Sequence, residues 1–116
     1  MTAVTIYHNP KCGTSRNVLA LLQDKGLEPV VIQYLKTPLD RAELKALVAR
    51  LGVPVREVVR WKEAEAVSAA AITPDSPDGE LLEAMARTPV LMNRPIVVTQ
   101  KGARLCRPSE TVSELL

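Results

Sequence analysis

The chain has 116 residues, with 15 Lys and Arg against 13 Asp and Glu, for a formal net charge of +2. A chain of this length buries roughly two-thirds of its unfolded surface, so it can fold as one domain without disulfides or metal. So small a charge gives no ground for a nucleic-acid partner, and with no Phe, one Trp and two Tyr the core must be built from Leu, Val, Ile and Ala.

Met1 to Lys11 carries neither a basic leader nor an apolar h-region, so no signal peptide is expected. All apolar runs fall far short of a membrane span. The expected compartment is the reducing cytoplasm, where a free thiol persists.

Val4 to Tyr7 is a short β-rich run that ends at the turn signal His8-Asn9-Pro10. From Gly13, apolar residues Val18, Leu19, Leu21 and Leu22 recur at helical spacing as far as Gly26, with Thr14 or Ser15 as the expected cap. Val30, Val31 and Ile32 read as a buried strand ending at Tyr34, parallel to the first. Thr37-Pro38 is expected to open the next helix, with Thr37 as N-cap and Pro38 at N1. Its apolar face is Leu44, Leu47, Val48 and Leu51, and Gly52 closes it. A short helix follows Val53-Pro54, an Ala-rich helix is expected over Glu63 to Ile72, and residues 73–79 form a polar loop. Glu80 to Arg87 is a further helix, stopped by Pro89. Pro95 to Thr99 and Ala103 to Cys106 form a hairpin about Gln100-Lys101-Gly102. A final short helix over Ser109 to Leu116 takes Ser109 as its cap.

The order is β-α-β, a block of helices, then β-β-α. With residues at about 38–88 read as a helical insertion, this is the order of a thioredoxin-like α/β fold on a four-stranded mixed sheet. The whole of 1–116 is expected to be a single domain.

The two cysteines, Cys12 and Cys106, make neither a disulfide framework nor a metal-ligand spacing, and one His nearly excludes a Cys/His zinc site. Cys12 stands between a strand and a helix, where unpaired N–H groups and the helix dipole favour the thiolate. His8, Lys11 and Arg16 add to this if they turn inward. Ser15 occupies the second position of a Cys-x-x-Cys pair, so the motif holds no dithiol, although the Ser15 hydroxyl is placed to reach the sulfur. Arg16 follows Cys12 too closely for a phosphatase-type loop. His8 reads more simply as a turn residue than as an acid or base. Arg60, Arg94 and Arg107 read from spacing alone as surface residues. Beside a thiolate they would bind a tetrahedral oxyanion. Pro95 opens a strand where thioredoxin-like folds place a cis-proline. Cys106 reads as a buried structural thiol.

The stretch Tyr7-His8-Asn9-Pro10-Lys11-Cys12-Gly13-Thr14-Ser15-Arg16-Asn17 resembles the active-site stretch of the ArsC family, the glutaredoxin-coupled arsenate reductases. Residues Asn93 to Thr99 and Arg104 to Glu110 resemble two further family stretches, and Glu28-Pro29 to Thr37-Pro38 also fits. The resemblance implies that Cys12 attacks arsenate, that Arg60, Arg94 and Arg107 hold its oxygens, and that His8 and Ser15 keep Cys12 ionised. It implies glutathione as co-substrate, glutaredoxin as partner, and no bound cofactor or metal. The segment from Trp61 to Gly79 departs from the family pattern. Two other readings share the fold. A glutathione-dependent thiol/disulfide reductase would need Cys12 but not the arginines. An Spx-like regulator of RNA polymerase typically carries the Cys-x-x-Cys pair that Ser15 interrupts. A phosphate-binding module is a third reading, separated by turnover.

Overall fold

A computed structural model describes residues 3–116. The chain forms two compact units, one of Met1–Thr37 with Arg94–Leu116, the other of Pro38–Asn93.

The first unit is built on four strands, β1 (Thr5–His8), β2 (Val30–Gln33), β3 (Ile96–Thr99) and β4 (Gly102–Leu105), with helix α1 (Gly13–Asp24) between β1 and β2. The sheet order is β2-β1-β3-β4. β1 and β2 are parallel, whereas β3 is antiparallel to both β1 and β4. This is the mixed, thioredoxin-like α/β sheet expected from the element order. Strand alternation turns Ile6 and His8 of β1 inward together. Val18 and Leu22 lie one helical turn apart on the buried stripe of α1. They join Val4, Ile6, Val97, Cys106, Val112 and Leu115 in one apolar cluster. Each such aliphatic side chain contributes roughly 1.5–3 kcal/mol on burial.

Four local expectations are corrected. β2 is not a buried strand: it is at the sheet edge, with Val30 62% and Val31 40% exposed. An apolar run of this length fits a buried or an edge strand equally well. The N-cap of α1 is Cys12 itself, not Thr14 or Ser15, and it makes no side-chain cap bond. The C-terminal helix is a 3-10 helix over Ser109–Leu115 with Pro108, not Ser109, at its cap position. It packs on α1, β3 and β4, and Thr99 Oγ1 donates to the Leu115 carbonyl at 3.2 Å.

The second unit contains α2 (Arg41–Leu51), a 3-10 turn (Val55–Glu57), α3 (Ala64–Ala70), α4 (Asp78–Arg87) and a second 3-10 turn (Pro89–Leu91). The fourth correction falls here: α2 starts after Asp40, not at Thr37-Pro38. Asp40 Oδ1 accepts the Glu43 N–H at 2.8 Å and Glu43 Oε1 accepts the Asp40 N–H at 3.1 Å. This reciprocal capping box outcompetes the proline as a start signal. Gly52 ends α2 at φ 70, in the left-handed region that an L side chain resists. α2 packs on α4. Leu44, Leu47, Val48 and Leu51 are buried in α2, and Leu81, Leu82, Ala84 and Met85 in α4. The Ala-rich α3 buries no residue. Among the described residues no helix is long and apolar enough to cross a membrane.

Candidate active site

The loop from His8 to Cys12 joins the end of β1 to the start of α1. Pro10 has no N–H and holds Asn9 in an extended conformation. A tight turn follows, in which the Cys12 N–H donates to the Asn9 carbonyl at 3.0 Å. The Asn9 side chain accepts the Lys11 N–H at 2.9 Å. Cys12 therefore enters the helix at the cap position with extended dihedrals, φ −94 and ψ 121. Its sulfur faces the main-chain N–H groups of Ser15 and Thr14.

Arg107 completes the surroundings of the thiol. Its Nη1 donates to Cys12 Sγ at 3.6 Å and to the Arg94 carbonyl at 2.8 Å. Burial by itself would raise the Cys12 pKa. The Ser15 N–H, the hydrogen bond and charge of Arg107, and the Thr14 N–H together outweigh it and bring the thiol below its ordinary value. Cys12 is partly exposed and reduced, so the sulfur can be approached from solvent.

The Ser15 hydroxyl does not reach the sulfur, and it meets His8 at the end of β1. The Ser15 hydroxyl is fully buried and bonds not the sulfur but the strand end. It accepts the Asn9 N–H at 3.1 Å and is hydrogen-bonded to His8 Nδ1, 2.6 Å away. Burial, then the nearby positive charge of Arg16, lower the His8 pKa. His8 is thus harder to protonate than a free imidazole. Arg16 is exposed and donates to the Pro10 carbonyl at 2.9 Å instead of turning inward.

The three arginines differ in placement. Arg107 reaches the sulfur directly. Arg94 is buried, 6% exposed, and its carbonyl anchors Arg107. Both precede proline through cis peptides, Arg94–Pro95 and Arg107–Pro108. Arg60 belongs to the second unit, where its N–H donates to the Leu91 carbonyl at 2.7 Å. Its guanidinium lies 3.3 Å from Asn93 Oδ1 and 3.5 Å from the Glu63 carboxylate. Cys106 is fully buried, and burial pushes its thiol up to about 12. Asn9, 4% exposed, is the residue that sequence reasoning passed over as a mere turn former. The Asn-Pro dipeptide beside a loop thiol was the available signal.

A model of the ArsC family matches residues 7–115. An arsenate reductase of Rhizobium meliloti (strain 1021) is 51% identical over 113 residues, covering 97% of this chain and 81% of the relative. An arsenate reductase of Escherichia coli (strain K12) is 49% identical, with 100% and 82% covered. A solved arsenate reductase structure from Vibrio cholerae superposes with a TM-score of 0.92 at 45% identity, covering 99% of this chain and 98% of that one. A thiol at a helix start, an arginine on its sulfur and this breadth of similarity agree, and the chain belongs to the ArsC family.

Proposed function

We propose that this protein is an arsenate reductase in which Cys12 is the nucleophile. The observation that carries the reading is the environment of one sulfur. Cys12 Sγ faces the N–H groups of Ser15 and Thr14 and accepts from the guanidinium of Arg107 at 3.6 Å. The donors that lower the thiol pKa are also the donors an oxyanion requires. The relatives named arsenate reductase support the choice of arsenate.

In this reading the Cys12 thiolate attacks arsenic(V), an As–S bond forms, and one arsenate oxygen leaves as water. Arg107 and Arg94 bind the remaining oxygens and stabilise the negative charge of the crowded intermediate. A second thiol, glutathione, then attacks the Cys12 sulfur. The As–S electron pair passes to arsenic, which leaves as arsenite, and a Cys12–glutathione disulfide remains. Two thiols have lost two electrons and arsenic has gained them. Cys12 has no partner thiol in its motif, so glutaredoxin restores it by thiol–disulfide exchange. No bound cofactor takes part.

The test is arsenate-dependent NADPH oxidation in the presence of glutathione, glutaredoxin and glutathione reductase. Turnover is expected with the native chain and none with Cys12→Ser. A native chain that ignores arsenate, with glutaredoxin active on a standard disulfide, would overturn the reading. Near-native turnover in Cys12→Ser would overturn the mechanism.

A further inference from the structure

We infer that Asn9 is a positioning residue for the reactive thiol: it holds the Cys12 sulfur in line with the first N–H groups of α1. The inference deepens the proposed function and rests on it only for the identity of the oxyanion.

Asn9 makes three separate bonds inside one loop. Its side-chain Oδ1 accepts the Lys11 N–H at 2.9 Å. Its carbonyl accepts the Cys12 N–H at 3.0 Å. Its own N–H donates to the buried Ser15 hydroxyl at 3.1 Å. The first two close the turn from the front, and the third ties the end of β1 to the first turn of α1. All three converge on the segment that carries the sulfur.

The residue type follows from this geometry. Before a proline the backbone is held extended, so it cannot close the turn by itself. An Asn side chain that accepts an N–H two residues on imitates a further backbone turn and closes it. With 4% exposure, water does not readily replace that acceptor. The Lys11 N–H would then stay unsatisfied or the loop would open. Either change moves Cys12 relative to the Ser15 N–H, the foremost of the groups that lower its pKa. Such a contact depends steeply on distance and angle. Asn9 acts through the loop and does not touch the sulfur.

Asn9→Ala, Asn9→Ser and Asn9→Asp separate this role from simple stability. The readout is the pH midpoint of Cys12 alkylation by iodoacetamide, with thermal melting alongside. Asn9→Ala is expected to raise the midpoint and slow alkylation roughly threefold at pH 7. Asn9→Ser keeps a hydroxyl acceptor of turn-forming reach, and should recover at least half of that loss. Asn9→Asp keeps the acceptor but seats a negative charge beside the thiol, and should also raise the midpoint. A midpoint in Asn9→Ala equal to that of the native chain overturns the proposal, even if melting falls. So does an Asn9→Ser variant no better than Asn9→Ala. If Asn9→Ala does not fold, Asn9→Asp decides: an unmoved midpoint means the side chain is not held against the loop. Alkylation needs no arsenate. A native chain inert to arsenate with the expected midpoint shifts would sink the substrate reading and leave the role of Asn9 intact.

Discussion

The two thiols of this chain show how far position sets reactivity. Cys12 starts a helix beside a guanidinium, and Cys106 sits in an apolar cluster with its Sγ 3.6 Å from the Arg104 carbonyl. One pKa is lowered, the other is raised to about 12. Iodoacetamide at neutral pH should therefore label the native chain once, at Cys12, as read by peptide mass mapping; labelling of Cys106 would contradict its burial. Arg107→Ala removes a hydrogen bond and a charge from the sulfur. The alkylation midpoint should then rise and arsenate turnover should fall by at least tenfold, since the same guanidinium is assigned to the oxyanion. The linkage to stability has opposite signs for the two thiols. Cys12 ionises first in the folded chain, so between its lowered pKa and the ordinary value the unfolded chain holds more protons. Its contribution rises with pH across that window and is complete above the unfolded value. Cys106 stays protonated when folded, so above its ordinary value of 9.0 the unfolded chain releases a proton and stability falls. Cys106→Ala should remove this alkaline loss in melts recorded from pH 8 to pH 10 while keeping most of the turnover.

Helix ends are where local chemistry is most exposed to test. The capping box of Asp40 and Glu43 sits at the solvent-facing start of α2. Asp40→Ala should cost about 1 kcal/mol in urea unfolding, because the Glu43 N–H loses its acceptor. At the end of α3, Ala71 adopts the left-handed conformation with φ 54. A β-carbon there is unfavourable by roughly 1 kcal/mol, so Ala71→Gly should leave the fold unchanged and raise stability by up to that amount. A loss of stability instead would mean that the methyl group makes compensating contacts. α1 illustrates a different use of a helix end. Its cap side chain is the Cys12 thiol, which makes no hydrogen bond to the helix backbone as a cap. Ser, Asp or Asn at that place would satisfy N–H groups that here face the sulfur.

At the scale of the whole molecule, the core of the first unit rests on few aliphatic residues. Leu22 is fully buried within the cluster of Val4, Ile6, Val18 and Val97. Leu22→Ala should cost 2–5 kcal/mol by the order of magnitude found for buried leucines, about enough to unfold a marginal domain, with circular dichroism as the check. The element order and the hydrophobic stripes were legible in the sequence. Helical spacing of Val18 and Leu22, Gly52 at a helix end and the hairpin about Gln100 and Lys101 are local signals read within a few residues. The same holds for Cys12, whose loop-to-helix position is written in one short stretch.

What the sequence by itself determined was therefore the run of elements, their mixed strand pairing and the place of Cys12 at a helix start, because each follows from neighbouring residues and short-range sterics. Tertiary structure decided the rest. Strand order left Val30 and Val31 at an open edge, which no apolar run can announce. It brought Arg107 to the Cys12 sulfur across most of the chain. It also turned the Ser15 hydroxyl away from that sulfur and onto His8, because the buried Asn9 N–H needed an acceptor and Ser15 was in reach. Arg107 reaches the sulfur only when segments distant in sequence are packed together, and its hydrogen bond and charge are among the causes that lower the thiol pKa.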